Sequence, residues 1–140
     1  MFEYYDQPTR DKTPLEMVQE FAKAMGQEIN QRHPAHYCGP NDDWPHLELM
    51  RWRLIEEEYY ELDAEGEPDR ILKEMADLVY VVYGYAATFG WDLDEAVRRV
   101  HASNMSKLGP DGKPIYREDG KVLKGPNYKV PDLNDLVGGV

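Results

Sequence analysis

The sequence predicts an all-α fold, a four-helix bundle followed by a C-terminal basic hairpin or loop tail. Up to Asn104, apolar residues recur at three- and four-residue steps. Helix start and stop signals punctuate that stretch in register with the apolar pattern. Beyond it Gly and Pro become too dense for regular helix: residues 107–140 hold 6 of the 11 Gly and 4 of the 10 Pro.

Helix one opens at Thr13-Pro14-Leu15-Glu16. Thr13 can cap, Pro14 suits the first helical position and Glu16 can complete a capping box. Leu15, Val18, Ala22, Met25 and Ile29 then form one stripe, and Pro34 predicts an end near Arg32. Residues 33–43 read as a loop. Asp43, before Trp44-Pro45, opens helix two, which runs to about Glu65 and is stopped by Gly66 and Pro68. Helix three extends from Asp69 or Arg70 to Phe89, closed by Gly90. Its second half is apolar on every side, as expected of a central helix surrounded by others. Asp92-Leu93-Asp94-Glu95 opens a shorter fourth helix with Leu93, Ala96, Val97 and Val100 on one face. In the tail, Pro114-Ile-Tyr-Arg and Lys121-Val-Leu-Lys flank Glu118-Asp119-Gly120, the pattern of a short hairpin. We expect one domain over 1–140, with a helical core at about 13–106 and the tail at about 107–140, a length that can bury a single core.

Composition excludes several classes of function. A net charge of −11 repels nucleic-acid backbones and anionic membranes. With 41% hydrophobic residues the chain is no disordered acidic tail. The nearly apolar run Leu78 to Trp91 has 14 residues, too few for a bilayer span. The start MFEYYDQPTR carries no secretory pattern, and a lone Cys38 forms no intrachain disulfide. A cytoplasmic protein without nucleic-acid or membrane partners is expected.

The chemistry lies in carboxylates placed where a core should be. Stepping about 100° per residue from Leu47, Met50, Leu54, Glu58 and Glu61 stay on one face, so the apolar stripe turns acidic without changing direction. Glu57 falls on the shoulder and Glu56 points directly away. In helix three Glu74 and Asp77, three apart, repeat the arrangement. Buried charge requires a partner, and two such pairs on neighbouring antiparallel helices would converge. Hard divalent cations are held by a few carboxylates with phosphates and waters completing the shell, so Glu58, Glu61, Glu74 and Asp77 point to Mg²⁺ or Mn²⁺. A di-iron site is the rival, but it uses Glu-x-x-His, and no His here follows a Glu by three residues. His33, His36, Cys38 and His46 are too irregularly spaced for a zinc motif. Asn104 falls on the inner face of helix four, where it either caps the helix end or points into the site. Between Lys107 and Lys129, 6 basic residues face 3 acidic ones, which suits a polyphosphate bridging metal and tail.

The run Ile55-Glu-Glu-Glu-Tyr-Tyr-Glu-Leu62 followed by Glu74-Met-Ala-Asp77 resembles the EExxE…ExxD signature of MazG-like nucleotide pyrophosphohydrolases, of the all-α NTP pyrophosphatase superfamily. The likeness extends to MVQEFAKAMGQEI, DLVYVVYG, VHASNMSK and the tail GKPIYREDGKVLKGPNY, which is similar to the phosphoribosyl-ATP pyrophosphohydrolase-like branch. The insertion His36 to Asp43 and the pair Tyr59-Tyr60 depart from that pattern. The resemblance implies a MazG-like bundle whose metal ligands fall on Glu57 or Glu58, Glu61, Glu74 and Asp77, and whose conserved Asn and Lys fall on Asn104 and Lys107. It implies hydrolysis of a (deoxy)nucleoside triphosphate between the α and β phosphates to a monophosphate and pyrophosphate, controlling or cleaning the nucleotide pool. Glu57 is the candidate base, and Asn104, Lys107 and Lys124 are the candidate substrate contacts. A homodimer or homotetramer is implied, with the nucleobase against helix one and aromatics such as Trp44 or Trp52. The alternative is a non-enzymatic helical oligomerisation or regulatory module that binds a divalent cation structurally.

Overall fold

The computed structural model describes residues 11–33 and 46–137. The order is α1 (Pro14–Ala24), α2 (His46–Ala64), α3 (Pro68–Thr88), α4 (Leu93–Met105) and a 3-10 turn at Asn134–Leu136. Among the described residues there is no strand, only an isolated antiparallel bridge between Tyr116 and Val122, so the all-α class holds. The expected start of helix two at Asp43, with Trp44, His36 and Cys38, lies outside the described residues. The chain divides into two compact units, residues 11–92 and 93–137 of those described.

In the first unit, α1 starts as its sequence dictates: the Thr13 hydroxyl accepts from the Glu16 N–H at 3.3 Å, and Pro14 needs no backbone partner. It ends earlier than expected, at Ala24 and not near Arg32. Gly26 takes a left-handed φ of +67°, and the N–H groups of Gly26 and Gln27 turn back to the carbonyls of Lys23 and Ala22. This Schellman arrangement satisfies the last carbonyls before the stripe can extend to Ile29, and it leaves Met25 exposed. Helix α3 closes in the same way. Gly90 sits at φ +69°, with Gly90 and Trp91 donating to Ala87 and Ala86. Pro68, read as a stop for helix two, is instead the first residue of α3, where its missing N–H costs nothing.

Helix α3 packs against both α1 and α2. Leu15, Val18 and Ala22 of α1 are buried, as are Tyr83, Ala86 and Ala87 of α3 and Phe89 just beyond it. Small residues at the end of α3 admit the segment after α1 at close range: Asn30 and Gln31 donate to the carbonyls of Ala87 and Thr88 at 3.0 and 2.6 Å. Yet α3 is not enclosed all round. Leu72, Met75, Val79 and Val82 stay exposed at steps of three, four and three.

In the second unit, α4 is fastened to the tail by polar contacts. Arg99 pairs with Glu95 and, through both terminal nitrogens, with Asp135; it also donates to the Asp132 carbonyl at 2.9 Å. Ser103 donates to the Lys129 carbonyl at 2.7 Å. The apolar face expected on α4 is only half-buried at Leu93 and Ala96, and Val97 and Val100 are exposed. The expected hairpin is present in minimal form: Arg117 donates to Lys121, Leu123 donates to Ile115, and Gly120 turns at φ +85°.

Candidate functional site

Helices α2 and α3 run antiparallel, and four contacts between them fix the frame of the site. Near the start of α2, Glu48 meets Tyr85 and Arg51 lies over Gly84. Near its end, Glu58 and Glu61 meet Glu74. The buried side of α2 is rotated from the expected one. Glu48 and Arg51 are the buried residues, whereas Met50 and Glu61 are exposed and Leu47 and Leu54 half-buried. On a wheel of about 100° per residue the buried side centres some 40° past Leu47, near Arg51. The correction has a physical cause: Glu48 and Arg51 are buried with polar partners, Tyr85 and Gln27, so the apolar stripe is a poor guide to the buried side.

The rotation brings Glu58 further in and moves Glu61 to the rim. One carboxylate oxygen from each of Glu58, Glu61 and Glu74 lies within 4.8 Å of the others. Glu74 is buried, and one oxygen each of Glu58 and Glu74 is buried without a hydrogen-bond partner among the described residues. Burial pushes the Glu58 carboxyl above its ordinary range, and Glu61, Asp77 and Glu74 add like-charge repulsion that Lys73 only partly offsets. A buried acceptor facing other acceptors is a costly arrangement for a chain by itself. It is the donor set a hard divalent cation takes.

The expected site residues divide into those brought together and those not. Glu58, Glu61 and Glu74 converge. Asp77 is close enough to repel Glu58 but is outside the convergent set, and its Oδ2 is 2.7 Å from the Lys73 ammonium. Glu57 is exposed and, with the buried side rotated toward Arg51, lies further from it than the shoulder position expected; Glu56 is exposed as expected. Asn104, Lys107 and Lys124 belong to the second unit. Asn104 is exposed and not on a buried face; the buried residue of α4 is its neighbour Ser103. Lys107 and Lys124 lie on adjoining backbone, because Gly125 donates to the Lys107 carbonyl at 2.9 Å. Any side chain at Gly125 would collide with the carbonyls of Leu108 and Lys107. The Lys124 ammonium lies 4.6 Å from the centre of the Tyr128 ring.

Sequence reasoning missed a second polar cluster. Glu48 is buried. Its Oε1 accepts from the Tyr85 hydroxyl at 2.9 Å, with His33 Nε2 3.2 Å away. His33 also belongs to an aromatic cluster, with the Phe89 and Trp91 ring centres at 4.6 and 4.8 Å. Trp52, expected near the nucleobase, is exposed with its edge toward Tyr85. The available signal was the Glu48-x-x-Arg51 pair, set among Leu47, Leu49, Met50 and Trp52 ahead of the acidic run that begins at Glu56.

The sequence profile of the family described as phosphoribosyl-ATP pyrophosphohydrolase matches residues 18–104 of the chain. The match takes in the acidic pairs of both α2 and α3. No curated protein matches.

Proposed function

The chain belongs to the phosphoribosyl-ATP pyrophosphohydrolase family, and from that premise we propose that it hydrolyses a (deoxy)nucleoside triphosphate between the α and β phosphates with Mg²⁺ or Mn²⁺ as cofactor. The single observation that carries this reading is the convergence of Glu58, Glu61 and Glu74, two of which keep a buried carboxylate oxygen that nothing among the described residues donates to. These three would hold the cation, with Asp77 as the fourth ligand. When bound there, a divalent ion neutralises phosphate oxygens and lowers the pKa of a water. Glu57, exposed and next to Glu58 in the sequence but outside the convergent set, is the proposed acceptor of the proton of the attacking water. As the water oxygen bonds to phosphorus, the bridging P–O bond breaks, giving a monophosphate and pyrophosphate. Asn104, Lys107 and Lys124 are proposed to contact substrate on the strength of their chemistry, amide and ammonium donors for phosphate.

A second reading, favoured by the family profile, has phosphoribosyl-ATP as the substrate, with the same loss of pyrophosphate. Self-association is part of the proposal. The exposed row Leu72, Met75, Val79 and Val82 has the spacing of a seam that buries against another helix, and light scattering of the purified protein would give the expected dimer or tetramer. Cytoplasmic residence follows from the substrate class; no described helix is long and apolar enough to cross a membrane.

The test is a panel of ribo- and deoxynucleoside triphosphates and phosphoribosyl-ATP with Mg²⁺ or Mn²⁺, resolved by nucleotide chromatography. Monophosphate plus pyrophosphate from one class is the expected result. Orthophosphate release would overturn cleavage between the α and β phosphates, and no turnover of any compound would overturn the enzyme reading in favour of a cation-binding helical module. Lys107→Ala and Lys124→Ala should raise KM and leave metal-induced stabilisation unchanged. Point changes serve better than truncation, because removing the tail would also strip α4 of its contacts to Asp135 and Lys129.

A further inference from the structure

Both ion pairs that touch the acidic cluster among the described residues are made by one side chain. Lys73 Nζ lies 3.0 Å from Glu74 Oε1 and 2.7 Å from Asp77 Oδ2. As a device for stabilising a helix this is poorly arranged. Adjacent residues do not face each other on a helix, and a basic residue four positions before an acidic one is the weaker orientation. Lys73 must bend across the helix face to reach Glu74, and the cluster is what it bends toward.

The carboxylates themselves give the reason. Glu58, Glu61 and Glu74 bring oxygens together, and Asp77, the remaining acid of the two pairs, is outside that set with Oδ2 on Lys73. One ammonium thus engages the second acidic pair, Glu74 and Asp77, without satisfying the buried Glu74 Oε2. Lys73 is itself 62% exposed on a flexible stem, so it can leave without disturbing the core.

We propose that Lys73 is an exchangeable resident cation: it holds Glu74 and Asp77 until a divalent ion binds, releases Asp77 to that ion, and then turns its ammonium to the polyphosphate. The proposal rests on the cation-binding reading of the trio. Its second half follows from charge, because four carboxylates outweigh one divalent ion while a polyphosphate adds further negative charge. A displaced ammonium whose stem is anchored next to Glu74 finds its strongest available acceptors there.

Lys73→Gln in the full chain tests both halves, with Lys73→Arg as the conservative variant. Mn²⁺ binding, followed by the electron paramagnetic resonance of the free ion without nucleotide, should tighten about two- to fivefold in Lys73→Gln, the range expected for one partly exposed competing charge. Pyrophosphate binding to the Mn²⁺-loaded protein, followed by calorimetry, should weaken in Lys73→Gln and be restored in Lys73→Arg. Equal or weaker Mn²⁺ binding by Lys73→Gln overturns the exchange, and unchanged pyrophosphate binding overturns the second role. Mn²⁺ binding that is the same in all three proteins removes only the role of Lys73. No Mn²⁺ binding by the wild type removes the metal reading with it.

Discussion

Toward the start of α2, Glu48 is buried, and a tyrosine hydroxyl donates to it beside a histidine ring nitrogen. Ten residues further along the same helix, Glu58 keeps a buried oxygen that nothing in the described chain donates to. Both carboxylates face α3, and both lie in the same unit. The first is a structural acid: the Tyr85 hydroxyl replaces water it lost, the His33 ring nitrogen lies 3.2 Å away, and Phe89 and Trp91 pack against the histidine. The second faces Glu61 and Glu74, so its neighbours add repulsion and supply no donors. Burial alone therefore does not mark a functional acid. What separates the two ends is whether the chain itself supplies the donors.

The largest effect expected from that difference is on turnover. Glu61→Ala, Glu58→Gln and Glu74→Gln should each lower kcat/KM by about 100-fold or more, at the upper end of what losing a supporting residue of a metal site costs. Glu56→Ala, on the opposite face, should stay within about twofold of wild type. A steady-state assay in which Glu56→Ala is as inactive as Glu61→Ala would break the helical-face argument on which the comparison stands.

Next in size is the response to metal. An ion at a hundred times its dissociation constant stabilises the folded state by about 2.7 kcal/mol, several degrees in Tm for a chain of this length. Differential scanning fluorimetry with Mg²⁺ or Mn²⁺ should show that rise for the wild type and for Glu48→Gln, and much less of it for Asp77→Ala. Equal shifts in wild type and Asp77→Ala would put the cation elsewhere.

Without metal the two ends should respond with opposite signs. Glu48→Ala removes the acceptor of the Tyr85 hydroxyl, leaving it the His33 ring nitrogen at 2.8 Å, and should destabilise by about 1–3 kcal/mol in urea unfolding. Glu58→Gln removes like-charge repulsion and should leave stability unchanged or raise it. Destabilisation of similar size by both changes would make Glu58 a structural acid like Glu48.

The contrast also shows where the sequence was informative. The acidic pairs were legible because a charge at an apolar position breaks a pattern that is otherwise regular, and Glu58, Glu61 and Glu74 do meet. The end of α1 was misread because Pro34 appeared to be the stop. Gly26 acts first, since a left-handed residue and two returning N–H groups close the helix within one turn. The buried side of α2 was misjudged because Glu48 and Arg51 look solvated in sequence. Their burial depends on Tyr85, Gly84 and Gln27, all distant in the chain, and on Gly84 lacking a side chain where the Arg51 guanidinium passes. Asp77 lies outside the convergent set, and the sequence pattern gave no sign of its pairing with Lys73, four residues before it.

The smallest expected effect, and the most direct test of the comparison, is on pH dependence. Burial and like charges raise the Glu58 carboxyl above the ordinary 4.5, so between 4.5 and its folded value the folded state holds a proton that the unfolded chain has released. Stability then falls as pH rises through that window. The contribution is fully present below the unfolded value and lost above the folded one. Asp135, held below its ordinary range by Arg99, contributes in the opposite sense: its stabilisation is present above 3.8 and is lost only as pH falls through its lower folded value. The two windows do not overlap, so urea unfolding of metal-free protein from about pH 4.5 upward isolates the acidic cluster. Wild type should lose stability across the lower part of that range, and Glu58→Gln should lose less. Saturating Mg²⁺ should abolish or invert the slope, because a cation favours the charged carboxylates. Parallel curves for wild type and Glu58→Gln would mean that the Glu58 carboxyl is solvated like any surface acid, and the contrast with Glu48 would reverse.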